Sequence, residues 1–195
     1  MTTISLLGCG SLGFPLALNL LQKGYCVKGS TTTPAKLQEL KKAGIVPYLI
    51  QLDKEIPPDF FVADILALTL PYKRSFSDPK IYKNQIKIIS ERVRVSSIQH
   101  IVFTSSSSVY PKDGKIYSTS DEFVPTNLRA KILLECEQIL NNLNNISTIT
   151  IRLGGIYHGS LIKQSITPRR LVSHKDALKH IEHGINRLGE NDCIN

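Results

Sequence analysis

Apolar residues along this chain follow two alternating rhythms. Short continuous runs, as in ISLL (4–7), ILAL (65–68) and HIVF (100–103), give way to stretches where apolar residues recur every three or four positions. The first rhythm reads as strands buried on both faces of a parallel sheet, the second as amphipathic helices. ISLLGCG (4–10) predicts a strand running into glycines, and FPLALNLLQKG (14–24) a helix that stops at Gly24. YCVKG (25–29) is a second strand. TTPAKLQELKKAG (32–44) reads as a polar helix with Thr33 as cap, Pro34 in the first turn and Gly44 past the end. VPYLIQL (46–52) is a third strand.

The alternation continues with strand DILALTL (64–70), helix PKIYKNQIKIISERV (79–93) and strand HIVFTSS (100–106). Residues 111–125 are loop, PTNLRAKILLECEQIL (125–140) a helix, and STITIRL (147–153) a sixth strand. Beyond Gly154 the pattern thins to a short strand and one more helix within 170–188, and CIN reads as the beginning of another strand. Strand–helix alternation of this kind predicts an α/β fold, a doubly wound parallel Rossmann sheet. We expect one domain over 1–195, with a stunted C-terminal lobe. Apolar surface left by so short a lobe would suit a second copy, hence a homodimer.

Composition narrows the class. The 195 residues are 42% hydrophobic and 21% charged, enough apolar material for a real core. No run is long enough for a membrane span, and the start lacks the basic region of a signal peptide, so the expected setting is cytoplasmic. Cys9, Cys26, Cys136 and Cys193 are scattered, without a C-x-x-C, and five histidines form no cluster of ligand-like spacing. No metal is expected. The net charge is +8, and Met1 to Gln38 contains no Asp or Glu. Lys and Arg are dispersed and lack interleaved aromatic residues, so a polyanion or nucleic acid is the less favoured partner and a small anionic ligand explains the charge at least as well.

Gly8-Cys9-Gly10-Ser11-Leu12-Gly13 fits G-x-G-x-x-G, follows a predicted strand and opens a predicted helix. Gly8 would allow the tight turn, Gly10 the approach of a pyrophosphate, and Gly13 close helix–strand packing, with the helix start supplying N–H groups. A dinucleotide is the implied ligand. At the end of the second strand an acid would select NAD; here stand Lys28, Gly29, Ser30, Thr31, Thr32 and Thr33, with Lys36 close by. Hydroxyls and cations suit a 2′-phosphate, so NADP is expected, with NAD the alternative. Thr69, near the end of the fourth strand, and Pro71, just after it, are candidate cofactor contacts, and Arg74 a candidate phosphate or substrate contact.

FTSSSSVYP (103–111), then DEFVPTNLRAKILLECEQ (121–138) and TIRLGGIYHG (150–159), resemble the extended short-chain dehydrogenase/reductase superfamily, the group of NAD-dependent sugar-nucleotide epimerases and dehydratases. The later segment RLVSHKDALKHI (170–181), with Asp176, also resembles it. That resemblance implies a C-terminal substrate lobe, of which 155–195 is then the shortened remnant, and a catalytic Ser, Tyr and Lys. Matching the motifs puts Ser106 at the serine and Lys131 at the lysine, but Asn127 at the tyrosine. An amide cannot act as a general acid–base group near neutral pH. The glycine loop and the helix at 125–140 resemble atypical subgroups that lack the tyrosine. Two outcomes stay open: a dinucleotide-binding oxidoreductase or epimerase-like enzyme using another proton route, Tyr110 or Tyr117 among them, acting on an unidentified small-molecule substrate; or a non-catalytic, regulatory dinucleotide-binding module. Likewise Lys131 either holds a ribose or snorkels to solvent, and Ser105 to Ser108 either meet a ligand or satisfy strand-end backbone.

Overall fold

The computed structural model describes residues 1–72, 78, 80–157, 171–187 and 192–194. Arg74 and His158 lie outside them. Seven strands form one parallel sheet: β1 (Thr3–Leu7), β2 (Cys26–Thr31), β3 (Val46–Leu49), β4 (Ile65–Leu68), β5 (His100–Ser106), β6 (Ser147–Leu153) and β9 (Asp192–Ile194). Their order is β3-β2-β1-β4-β5-β6-β9. The chain winds outward from β1 in one direction and from β4 in the other, so the order reverses between these two neighbours. Ligands of such sheets sit at that reversal, outside the carboxyl ends of the strands. The CIN segment indeed contributes a strand, β9, in register with Ile149–Ile151 of β6. Two further strands, β7 (Gly155–Tyr157) and β8 (Leu171–Ser173), pair in a separate small sheet.

Alternate residues of the central strands serve opposite faces. Leu66 and Leu68 of β4 and Ile101 and Phe103 of β5 join one apolar cluster with α3 (Lys80–Arg94) and α4 (Leu128–Asn141). Ile65, Ala67 and Val102 join the other, beneath α1 (Gly13–Gln22), α2 (Lys36–Lys42) and α5 (His174–Asn186). This is why the strands read as unbroken apolar runs. Each fully buried Leu, Ile or Phe stabilises the fold by roughly 1.5–3 kcal/mol. Polar links tie the helices in pairs. Lys83 on α3 bonds Glu135 on α4 at 2.8 Å and, with its charge, holds that carboxyl below its ordinary range. Glu182 on α5 accepts from Asn19 (2.7 Å) and pairs with Lys23, at the end of α1.

Two local expectations are corrected. The second helix begins at Lys36, so Pro34 precedes it, and Thr33 does not cap it with its side chain. Instead the Thr31 hydroxyl accepts from the Thr33 N–H (3.1 Å), and the Lys36 N–H bonds the Thr33 carbonyl. A hydroxyl at the strand end had taken the turn first. Lys28, read as a neighbour of the phosphate site, donates to the carbonyls of Asp59 and Val62 (2.9 Å to the latter). It lies mid-strand opposite Ser5, whose hydroxyl bonds the Phe60 carbonyl, and so faces residues 59–62 rather than the strand ends.

Candidate dinucleotide crevice

The carboxyl ends of β1, β2, β4 and β5 open into a crevice of about 1480 Å³. Gly8, Gly10, Ser11, Leu12, Ser30, Thr31, Thr32, Lys36, Thr69, Pro71 and Ser106 all line it. The glycine loop is held from both sides. Ser30 accepts the Gly8 N–H on its hydroxyl (2.9 Å) and the Cys9 N–H on its carbonyl (2.7 Å). Thr69, on the other flank, donates its hydroxyl to the Gly8 carbonyl (2.8 Å).

Three glycines have three different needs. Gly8 has φ +111°, a left-handed backbone that side chains avoid. A Cβ on Gly13 would fall 2.1 Å from the Gly8 carbonyl oxygen and 2.8 Å from the Thr69 hydroxyl. Gly13 is buried where α1 meets β1, so its need is packing. A Cβ on Gly10 would meet nothing within 4 Å, so here the backbone faces open crevice. That combination fits a dinucleotide, whose pyrophosphate needs bare backbone at the middle glycine. Cys9 between them is buried, and burial pushes its thiol up to about 12, so it is no nucleophile near neutral pH.

Ser106 ends β5, and its hydroxyl oxygen accepts from the Ser108 N–H (3.2 Å) and hydroxyl (3.0 Å), capping a one-turn 3₁₀ helix. Ser105, Ser107 and Ser108 share the crevice wall with it. The expected pair on α4 is arranged differently from its sequence reading. Asn127 and Lys131 do not share a helical face, because Asn127 stands before the helix in extended backbone (φ −152°, ψ 164°). Its amide oxygen accepts the Ala130 N–H (2.9 Å) as an N-cap. Both residues are exposed and neither lines the crevice. We expect Asn127→Ala to lower stability by about 1 kcal/mol, read from the midpoint of urea unfolding, because the cap bond is lost. The cation of α4 that does line the crevice is Arg129, whose guanidinium lies 4.9 Å from the Tyr72 ring centre.

Behind the serines runs a buried polar chain that sequence reasoning missed. Ser105 donates to Glu137 (2.5 Å), Glu137 pairs with Arg152 (2.7 Å), and Arg152 donates to the Tyr110 hydroxyl (2.9 Å). The Tyr110 ring stacks on Tyr117 at 5.5 Å, and the Tyr117 hydroxyl donates to Asp113. Tyr110 is thus built into the wall between β5 and β6. A signal existed: Glu137 falls among Leu133, Cys136 and Leu140 on the core side of the helix, where an acid requires a partner. His174, at the start of α5, contacts the Ser11 carbonyl through Nε2 (2.8 Å), bracing the glycine loop. Asp176, two residues on, accepts from the Ser173 hydroxyl, which holds its carboxyl below the usual range.

Among the described residues no grouping of His, Cys, Asp or Glu could hold a metal ion, and no helix is long and apolar enough to cross a membrane.

Residues 3–75 match the family model of the NAD binding domain of 6-phosphogluconate dehydrogenase. The N-terminal segment therefore carries a Rossmann unit of the dinucleotide-binding kind. Protein YeeZ of Escherichia coli strain K12 is 32% identical over 201 residues, which span all of this chain and 71% of that protein. Among solved structures, UDP-glucuronic acid 4-epimerase of Bacillus cereus, in complex with a fluorinated UDP-sugar acid and NAD, superposes with a TM-score of 0.79 at 15% identity, covering 99% of this chain and 76% of the epimerase. A functionally unknown conserved protein of Silicibacter pomeroyi gives 0.73 at 19% identity, covering 99% and 71%. At such identities the structures share the fold.

Proposed function

The chain belongs to the family of protein YeeZ of Escherichia coli, and we propose that it binds NADP(H) across the crevice at the strand ends. The single observation that carries this reading is the glycine loop: backbone bare at Gly10, fixed by Ser30 and Thr69, at the point where strand order reverses. Gly8 to Leu12 would hold the pyrophosphate. Thr31, Thr32, Thr33 and Lys36 line the end where the adenosine ribose belongs, and no acid lines the crevice among the described residues. An acid-free end with three hydroxyls and a cation favours a 2′-phosphate over a free 2′-hydroxyl. Bound there, the dinucleotide supplies hydride transfer. The chain contributes binding, orientation and the Ser106 hydroxyl, which accepts from Ser108 and keeps its own O–H to donate.

This reading places the chain with the atypical short-chain dehydrogenase/reductases that lack the active-site tyrosine. The position aligned with that tyrosine has become a helix cap, and Lys131 stands outside the crevice. The same observation favours a second reading, a non-catalytic module that binds the cofactor without turnover.

Nicotinamide fluorescence tests the phosphate argument without interference, since the chain has no Trp. We expect NADPH to bind more tightly than NADH. Lys36→Ala should weaken NADPH by about tenfold and leave NADH within about twofold. Equal binding of the two by the wild type would remove the case for NADP.

A further inference from the structure

We propose that His174 is a positioning residue for the dinucleotide: by holding the Ser11 carbonyl it fixes the peptide that presents the Leu12 N–H to the pyrophosphate. This deepens the dinucleotide reading and rests on it. The turn that opens α1 is already helical in its hydrogen bonds. The Phe14 N–H donates to the Gly10 carbonyl (3.0 Å) and the Leu16 N–H to the Leu12 carbonyl (3.3 Å). The carbonyl between them, that of Ser11, would take the N–H of residue 15, and residue 15 is proline. Proline has no N–H to give, and its ring crowds the carbonyl four residues back. The ladder therefore has a gap at the pyrophosphate loop. The imidazole of His174 fills it from another element, with Nε2 2.8 Å from the Ser11 carbonyl oxygen. A carbonyl only accepts, so the ring donates from Nε2.

The geometry of one peptide turns this contact toward the cofactor. The peptide linking Ser11 to Leu12 is planar and trans, so its N–H points opposite to its C=O. With the carbonyl turned to His174, which does not line the crevice, the Leu12 N–H is turned the other way, and Leu12 does line it. A donor fixed before the phosphate arrives need not be ordered on binding, which favours affinity. His174 is itself held in place. Ser173 caps α5 by accepting the Asp176 N–H on its hydroxyl (3.0 Å), which fixes the turn that carries the imidazole. Farther along, Glu182 on α5 accepts from Asn19 on α1 (2.7 Å). Both links join residues 163 positions apart in the chain, so α1 and α5 run side by side in the same direction and are tied at two points. The imidazole thus stands on a helix fixed against the one whose start it completes.

Nicotinamide fluorescence with NADPH tests this on the wild type, His174→Ala, Pro15→Ala and the double variant Pro15→Ala/His174→Ala. His174→Ala should bind NADPH about fivefold more weakly, the worth of one hydrogen bond. Pro15→Ala alone should stay within about twofold of the wild type. The double variant should also return to within about twofold, because the N–H restored at residue 15 takes the Ser11 carbonyl into the helix ladder. Each variant should unfold in urea in one cooperative transition, since the imidazole is half-buried and its removal opens no void in the core. The proposal is overturned if His174→Ala binds NADPH as the wild type does. It is overturned equally if the double variant binds as weakly as His174→Ala, which would mean that the imidazole acts through the placement of α5 or touches the cofactor itself. No NADPH binding by the wild type would overturn the dinucleotide reading, and this proposal with it.

Discussion

Glu137→Ala is expected to cost about 3–5 kcal/mol of stability, the range seen when one partner of a buried ion pair is removed. Glu137 is 4% exposed, and its carboxylate receives hydrogen bonds from Ser105 and from the Nε and Nη2 of Arg152. Alanine at 137 leaves the Arg152 guanidinium, its side chain only 9% exposed, without its counter-charge. It also leaves a void beneath the strand that carries the serines. Loss of anchorage at Arg152 reaches Tyr110 directly, because the phenol oxygen is held by the same guanidinium. Urea unfolding measures the effect. The double variant Glu137→Met/Arg152→Met should recover much of the loss, since two apolar chains replace an ion pair with no charge stranded. A loss below about 1 kcal/mol for Glu137→Ala would mean that the pair contributes little and that water reaches Arg152.

Gly13→Ala should destabilise the fold by about 3 kcal/mol, an overpacking cost at the upper end of the common range. The added methyl would meet backbone rather than a movable side chain, 2.1 Å from the Gly8 carbonyl oxygen. It cannot be relieved by a rotamer change. The carbonyl is itself held by Thr69, so relief must move the glycine loop or lift the start of α1. Cofactor affinity should fall along with the unfolding midpoint. Unchanged stability would show that the helix start yields more easily than the packing suggests.

Much of the architecture was legible because its physics is local and periodic. ILAL at 65–68 has no polar residue to place outward, so it had to be a strand covered on both sides, and Leu66 and Ile65 do face different cores. The glycine loop was legible for the same reason, since a tight turn, a bare backbone and a close contact each demand glycine at a set spacing. What escaped was decided by partners far apart in sequence. Nothing near Glu137 announces Arg152, which reaches it only because β6 lies beside β5 and under α4. Nothing near His174 announces Ser11. Asn127 was found by alignment with a tyrosine, but the sequence could not say that its backbone would be extended and its amide used as a cap. Lys131 follows from that: with the helix starting at Leu128, Arg129 rather than Lys131 lines the crevice.

The central claim, a dinucleotide lying against the bare backbone of the glycine loop, is tested most directly by Gly10→Val. A Cβ at Gly10 would meet nothing within 4 Å among the described residues beyond its chain neighbours, so a side chain there starts out into the space assigned to the pyrophosphate. Nicotinamide fluorescence should therefore show NADPH binding to the wild type and none to Gly10→Val, while the two unfold within about 1 kcal/mol of each other in urea. Undiminished NADPH binding by Gly10→Val, or no NADPH binding by the wild type at millimolar concentration, would contradict the account.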